Sequence, residues 1–114
     1  MRIEKFEDIL SWQKAVKLAV FVYKVFEKNR DYGFKDQVQR AVLSISNNIA
    51  EGYERRSNKE FKQFLYIAKG SCGEVRSMAY VALDMKYLNK NDFDKMYSDS
   101  SEISRLLSGL IKTL

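Results

Sequence analysis

The sequence predicts an all-α fold, an antiparallel (up-and-down) four-helix bundle formed by one domain over residues 1–114. The chain has no proline and only five glycines, so residues that end helices are scarce. Apolar residues recur at three- and four-residue steps in four segments, and no segment shows a strand pattern of comparable strength. Amphipathic helices joined by short turns pack most naturally as such a bundle.

The first helix is predicted over residues 9–28 and is apolar on more than one face. Its main stripe contains Trp12, Ala15, Val16, Ala19, Val22, Tyr23 and Phe26. A second strip beside it contains Leu18, Phe21 and Val25. A helix that is apolar on several faces must be covered from several sides. We therefore expect the second strip to be covered by another subunit.

The second helix is predicted over residues 35–52, after a loop over residues 29–33. Its core stripe contains Val38, Ala41, Val42, Ile45 and Ile49. Gly52 stands where a left-handed C-terminal cap is expected.

The third helix is predicted over residues 58–88, and it opens with a capping box formed by Ser57 and Glu60. Its stripe contains Phe61, Phe64, Leu65, Ala68, Cys72, Val75, Ala79 and Ala82. The fourth helix is predicted over residues 92–113, with Asn91 as its N-cap. Its stripe contains Phe93, Met96, Tyr97, Ile103, Leu107, Leu110 and Leu114.

The segment from Ser44 to Gly52 is unusually polar for the middle of a helix, because serine and asparagine compete for backbone hydrogen bonds. Its polar residues have three candidate uses: hydrogen bonding across a helix pair, lining a subunit interface, or facing a ligand. A fourth is that the two asparagines satisfy the helix end. We favour packing or assembly over ligand contact for Ser44, Asn47, Asn48 and Glu51.

Gly70 and Gly73 lie inside the third helix, where each costs about 1 kcal/mol relative to alanine. A missing side chain in mid-helix indicates close approach of another helix. We therefore predict that both glycines are packing sites.

The composition argues against an enzyme. The chain has no histidine and one cysteine, so it lacks the commonest general base and metal ligand. We expect no cofactor and no metal site. Glu51 and Glu74 are the one candidate carboxylate pair, although each more often caps, pairs with an arginine or faces solvent. Cys72 is expected to be a buried core residue, and a redox thiol is the alternative.

The net charge of +5 comes from residues 1–88, which hold sixteen Lys/Arg and eleven Asp/Glu. A basic surplus favours an acidic partner, most often nucleic acid, and a solubilising surface is the alternative. The apolar runs are too short for a signal peptide or a membrane span. With a single cysteine, this predicts a cytoplasmic protein without a membrane partner.

Basic residues repeat along two predicted helices. Arg55, Lys62, Lys69 and Arg76 are spaced by seven, with Arg56 and Lys59 nearby. A second stripe on the first helix contains Lys14, Lys17, Lys24 and Lys28. Such rows neutralise phosphates, and Tyr53 and Tyr66 are close enough in sequence to offer stacking surfaces. The alternative is the charged, solvated face that a bundle usually has.

Several short motifs occur in an order that resembles a known family: Trp12-Gln13-Lys14-Ala15, Tyr32-Gly33-Phe34, Arg40-Ala41, Ser44-Ile45, Asn48-Ile49-Ala50-Glu51-Gly52, Glu60-Phe61, Phe64-Leu65 and Gly70-Ser71. Over nearly its whole length the chain resembles the four-helix-bundle proteins named for intervening sequences in bacterial 23S ribosomal RNA. The resemblance implies a cytosolic, ring-like homopentamer with no catalytic residues. A similar bundle is the accessory protein of diversity-generating retroelements, where it binds a reverse transcriptase and nucleic acid.

Two functions follow as hypotheses. The first is an oligomeric scaffold that binds RNA, including ribosomal RNA, or DNA through its basic helix faces. The second is a protein-binding adaptor without nucleic-acid contact, based on the second apolar strip of the first helix and on the polar segment of the second.

Overall fold

The computed structural model describes residues 2–114, and this part of the chain contains four α-helices. These are α1 (Leu10–Val25), α2 (Tyr32–Tyr53), α3 (Asn58–Asp84) and α4 (Lys90–Lys112). A short 3₁₀ helix, Phe6–Asp8, precedes α1 and packs against α1 and α2. Within residues 2–114, no helix combines the length and the apolar character that a membrane span requires.

Each α-helix packs against two others, in the cyclic order α1, α2, α3, α4. Within the described residues, the diagonal pairs α1–α3 and α2–α4 do not approach each other closely. This is the packing of a four-helix bundle, so the predicted all-α fold class is confirmed.

The start of α2 differs from the prediction because Asp31 is its N-cap. The Asp31 carboxylate accepts a hydrogen bond from the Phe34 amide, with an O–N distance of 3.2 Å. Tyr32 and Gly33, which were predicted to lie in a loop, therefore form the first turn of α2. The predicted start at residue 35 was wrong by three residues, because an aspartate in a polar stretch also serves as a cap.

The N-cap of α4 is Asn89 and not Asn91, so the predicted start at residue 92 was two residues late. The Asn89 side chain accepts from the amide of Asp92, with an O–N distance of 2.7 Å. Asn89 and Asn91 are both plausible caps in the sequence, but only the side chain of Asn89 accepts from the amide three residues further on.

α1 and α3 both end earlier than predicted, α1 at Val25 and α3 at Asp84. At the end of α3, Lys86 adopts a left-handed conformation with φ of 62°. The amide of Tyr87 donates to the carbonyl of Ala82 at 2.8 Å. The amide of Lys86 donates to the carbonyl of Leu83 at 3.0 Å. These two bonds form a Schellman motif, which satisfies the last carbonyls and turns the chain towards α4.

The core contains the predicted stripes of α2 and α3, apart from Phe64, which is half-buried. All five apolar positions predicted for α2 are buried. In α4 the stripe is shifted slightly: Tyr97 is exposed, Leu110 and Leu114 are half-buried, and Ile111 is buried instead.

The second strip of α1 is covered in part within this chain. Leu18 is buried in the core, and Phe21 and Val25 are half-buried against it. The Lys95 ammonium of α4 lies 5.3 Å from the centre of the Phe21 ring. Leu18 is therefore a core residue of this chain, whereas the expectation that another subunit covers the rest of the strip stays a prediction for Phe21 and Val25. Val20 and Tyr23, further round the helix, are the exposed apolar residues of α1's second half.

Gly52 lies inside α2, where it permits close contact with α3. A Cβ atom built on Gly52 would lie 2.5 Å from Phe64 Cβ and 3.0 Å from Phe61 Cδ1. No described glycine has a positive φ, so the predicted left-handed cap was wrong. The glycine is required by the proximity of α3 and not by the turn that follows.

Gly70 and Gly73 behave in the opposite way. A Cβ atom built on either would have no neighbour within 4 Å among the described residues. The prediction that another helix packs on these glycines is therefore wrong within this chain. Their lost helix propensity is not compensated by any packing that the structure describes.

The polar segment of α2 is used for a hydrogen bond between two helices. Ser71 of α3 donates to Ser44 Oγ at 2.8 Å, and Asn48 Nδ2 donates to the same oxygen at 2.9 Å. Asn48 also bonds back to the Ser44 carbonyl at 2.7 Å, so it does not satisfy the helix end. Of the uses considered for this segment, bonding across a helix pair is the one observed, while Asn47 is exposed.

A second polar contact ties the α3–α4 turn to α2. The Tyr87 hydroxyl donates to Asp31 Oδ2 at 2.7 Å, and its ring packs edge-on against Phe34 with centroids 5.4 Å apart. The Tyr87 bond, followed by the Phe34 amide, holds the pKa of Asp31 below its usual value. The same bond raises the pKa of Tyr87.

We predict opposite effects of alanine at the two kinds of glycine. Gly52→Ala should destabilise the protein by about 1–3 kcal/mol, because overpacking against Phe64 outweighs the helix-propensity gain. Gly70→Ala, the matched control, should stabilise it by about 1 kcal/mol, because its Cβ meets open space. Urea denaturation monitored by circular dichroism measures both. A destabilised Gly70→Ala protein would contradict the open surface described for α3.

We also predict that Tyr87→Phe lowers the free energy of unfolding by an amount that depends on pH. The lowered pKa of Asp31 means that its contribution is present above its unfolded pKa, near 3.8, and is lost as pH falls through the folded pKa. The raised pKa of Tyr87 means that its contribution is lost as pH rises past 10.0 and through the folded pKa. The difference from the unmodified protein should be constant between about pH 5 and 9 and shrink on both sides. A difference independent of pH in urea titrations would contradict this assignment.

Candidate nucleic-acid interface

Three cations of α3 form a straight row, which we call the α3 row: Lys62, Lys69 and Arg76. They are seven residues apart, so neighbours are separated by about 10.5 Å along one side of the helix. All three are half-buried, which is typical of long side chains whose stems pack on the bundle while the charges reach solvent. Within residues 2–114, none of the three forms an ion pair within 4.0 Å.

Acidic residues are kept away from the α3 row. Between its first turn and its last residue, α3 carries one acid, Glu74. Glu74 lies one turn from Ser71 and therefore on the edge that faces α2, away from the row. The field of the three cations is consequently not cancelled along their own edge of the helix.

Arg55 was predicted as part of this row, but its charge is compensated locally. Its guanidinium pairs with Glu51 at 3.2 Å and lies 4.0 Å from a carboxylate oxygen of Glu60. The same group lies 4.8 Å from the centre of the Phe64 ring. Arg55 thus joins the end of α2 to the start of α3, and Glu51 is used in an ion pair and not in a carboxylate pair with Glu74.

Arg56 and Lys59 are exposed at the N-terminal end of α3. Arg56 borders a shallow cavity at this end of the bundle, which Tyr53 and Leu114 also line. The Tyr53 ring packs edge-on against Phe61 with centroids 5.8 Å apart, so this candidate stacking residue is already occupied. Tyr66 is 58% exposed, which leaves its ring accessible for stacking.

The basic stripe of α1 lies on the helix diagonal to α3, so the structure does not join the two rows. Lys14 pairs with Glu102 of α4 at 3.3 Å. Lys17 lines a depression that also contains Asp99 and Glu102. Lys24 and Lys28 are exposed, with Lys28 in the turn beyond α1. The first half of the α1 stripe therefore has mixed charge, whereas the α3 row is purely basic.

Cys72 lies in the core, as expected for a small apolar residue. Its side chain is fully buried, and burial raises the pKa of its thiol to about 12 although Arg76 and Lys69 act in the opposite direction. A thiol with this pKa is almost entirely protonated at neutral pH, and only the thiolate is a good nucleophile. Within residues 2–114, no three acidic or cysteine side chains are grouped as a metal site would require.

One set of residues on α4 was not predicted from the sequence, and we call it the serine row: Ser101, Ser104 and Ser108. All three are half-buried. They recur at three- and four-residue steps, so one edge of the helix carries only hydroxyls over two turns. Their helical spacing is visible in the sequence, but serines are common on exposed helix faces, so the spacing alone does not single them out.

Residues 7–109 match the sequence profile of the family described as 23S rRNA-intervening sequence protein. Among curated proteins, no match to the chain is found. The fold is similar to a crystal structure of a protein of unknown function from the S23 ribosomal protein family of Bacteroides thetaiotaomicron. The two share 25% sequence identity with a TM-score of 0.84, over 90% of this chain and 99% of the other.

Proposed function

Because the chain belongs to the family of 23S rRNA-intervening sequence proteins, we propose that it is a non-enzymatic scaffold that binds nucleic acid through the α3 row. The observation that carries this proposal is the row itself: three cations in register, without an ion pair and with no acid on their edge of α3 before its last residue, Asp84. Most ion pairs among the described residues lie on the other helices or at helix ends. The chain's free positive charge is thus presented as a line, the shape that a phosphate backbone requires.

The size of the α3 row sets the expected salt dependence. Neutralising three phosphates gives a slope of log affinity against log salt of about −2.7 for a duplex. Raising the salt concentration from 50 to 200 mM should therefore weaken binding by one protomer roughly fortyfold. Binding that several protomers make together would depend on salt more steeply.

We predict that Lys62→Glu combined with Lys69→Glu abolishes nucleic-acid binding, because it replaces two phosphate-binding cations with repelling acids. The matched control is Lys24→Glu combined with Lys28→Glu, which changes the net charge equally on α1 and the turn that follows it. The control should keep its affinity within a few-fold. Fluorescence-anisotropy titrations with labelled oligonucleotides at two salt concentrations measure both, and circular dichroism confirms the fold.

Equal losses in the two double variants would mean that net charge alone drives binding, and the α3 row would lose its assigned role. Unchanged affinity in the Lys62/Lys69 variant would overturn the proposal outright.

The scaffold is proposed to be a homo-oligomer, and exposed apolar residues of α1 and α2 support this. Val20 is 49% exposed and Leu43 is 38% exposed, on two helices that pack side by side. Tyr23 and Leu10 of α1 are exposed as well. These residues can be removed from water by a second copy of the chain, which would also multiply weak contacts made by each α3 row.

We predict that light scattering gives a mass several times the 13.4 kDa of one chain. Val20→Glu combined with Leu43→Glu should reduce this mass to that of a monomer, because two charges would have to be buried in the contact. The helical content should be unchanged, since both side chains face solvent in the single chain. A monomeric unmodified protein would rule out self-assembly and leave one α3 row per binding unit.

The same exposed residues of α1 and α2 support the alternative function, a protein-binding adaptor. Its original basis is weaker, because Leu18 is in the core and Ser44 bonds to Ser71. A monomer that binds no nucleic acid at low salt would favour this alternative.

A further inference from the structure

We propose that the α3 row and the serine row together bind single-stranded RNA in preference to DNA, with the serine hydroxyls contacting ribose 2′-hydroxyls. We call the surface that they form the α3–α4 face. This inference rests on the proposed function and adds to it the chemical class of the ligand and the residues that select it.

An aromatic contact fixes which edges of the two helices meet. The Tyr80 ring of α3 lies 5.9 Å from the Tyr97 ring and 5.2 Å from the Phe93 ring of α4, centroid to centroid. The edge of α3 that carries Tyr80 therefore faces the edge of α4 that carries Tyr97. Any residues that continue these two edges must also lie along the α3–α4 boundary.

Both rows continue from this contact in steps of three and four residues. On α3, Arg76 lies four residues before Tyr80 and Lys69 lies seven before that. On α4, which runs in the opposite direction, the three serines of the serine row lie four, seven and eleven residues after Tyr97. Because the Tyr80 ring contacts both Phe93 and Tyr97, matching the steps places Arg76 between the levels of Tyr97 and Ser101, and Lys69 between those of Ser104 and Ser108. Cations and hydroxyls thus follow the same boundary side by side.

The hydroxyls of the serine row are free to bind a ligand. Within the described residues, none of the three side chains takes part in a hydrogen bond to a protein group. Ser100, one residue before the row and buried, shows the contrast: its hydroxyl donates to the Met96 carbonyl at 2.8 Å. The hydroxyls of the serine row retain both their donor and their acceptor capacity.

Gly73 opens the face between the two cations nearest the aromatic contact. The stepwise register places it between the levels of Ser101 and Ser104, and a Cβ atom there would meet nothing within 4 Å among the described residues. A strand can therefore approach the α3 backbone between Lys69 and Arg76. The absence of a side chain at this position has no packing explanation within the described chain, and close approach of a ligand supplies one.

The two acids of α4 beside the serine row, Asp99 and Glu102, do not oppose an anionic ligand on this face. Glu102 pairs with Lys14 of α1, so it lies on the edge facing α1. Asp99 pairs with Lys95 at 3.0 Å, and the Lys95 ammonium lies over the Phe21 ring of α1. Both carboxylates are thus turned to the opposite edge of α4 from the serine row.

The two rows divide the recognition of a polynucleotide strand between them. Lysine and arginine neutralise phosphates in either RNA or DNA, whereas the 2′-hydroxyl, a donor and an acceptor, is the group that distinguishes RNA. The step of about 10.5 Å between cations corresponds to about three nucleotides of a stacked strand. Tyr66, exposed on α3 between Lys62 and Lys69, offers a ring on which a base can stack. An acidic peptide would also use the cations, but it has no 2′-hydroxyl by which the serines could select it.

The test compares matched oligonucleotides on the full-length protein. A single-stranded RNA of twelve nucleotides containing only A, C and G is titrated against the DNA of identical bases, so that the two probes differ in the 2′-hydroxyls alone. We expect the RNA to bind about tenfold or more tightly, as loss of a few hydrogen bonds implies. Combining Ser101→Ala, Ser104→Ala and Ser108→Ala should weaken RNA binding towards the DNA value and leave DNA binding unchanged. Ser98→Ala, an exposed serine of α4 outside the row, is the control and should change neither.

The outcomes separate this inference from the proposed function. Equal affinity for RNA and DNA, or a triple variant that keeps its preference for RNA, would overturn the inference while nucleic-acid binding by the α3 row stands. No binding of either probe at low salt would overturn both. A competition experiment adds polyglutamate of equal charge to the RNA complex. If polyglutamate displaces the labelled RNA as effectively as unlabelled RNA does, the surface recognises charge alone, and selection by the serines is refuted.

Discussion

The close approach of α2 and α3 is the constraint on which the rest of the molecule depends. Gly52 lets the Phe61 and Phe64 side chains reach the α2 backbone, and further along the pair Ser44 is bonded to Ser71. Two contacts at different heights fix the rotation of α3 about its own axis. Once that rotation is fixed, the apolar stripe of α3 faces the core and its basic edge faces α4. The position of the α3 row is thus a consequence of helix packing and not of any interaction among the cations.

Periodicity was sufficient to predict the helices and most of the core, because a buried stripe must repeat at the helical period whatever packs on it. It was not sufficient where one residue type has two uses. Gly52 resembles a helix cap in the sequence, and only the position of Phe64 reveals the steric requirement. Asn89 and Asn91 are equivalent cap candidates in the sequence, and only the backbone conformation shows that Asn89 is the N-cap. Phe21 belongs to an apolar strip of α1, and its contact with Lys95 of α4 cannot be identified from the pattern of α1 alone.

The candidate site, too, could be predicted from the sequence only in part. The spacing of Lys62, Lys69 and Arg76 was visible in the sequence, and the structure shows the three on the edge of α3 that faces α4. Arg55 fits the same spacing, yet its ion pairs with Glu51 and Glu60 depend on how α2 joins α3. The serine row escaped notice because serines are common on exposed helix faces. They become informative only when the contact between Tyr80 and Tyr97 shows which neighbours they have.

Burial of Cys72 has a practical consequence for spectroscopy. The chain's single cysteine is buried in the core, and its raised pKa keeps the thiol protonated up to a pH far above neutral. Maleimide and methanethiosulfonate reagents, which attack through the thiolate, should pass over it in the folded protein. A cysteine introduced on the surface would then be the sole reactive position without removal of the native one. Spin labels or fluorophores placed in this way could measure whether copies of the chain lie close together, without a change in the core.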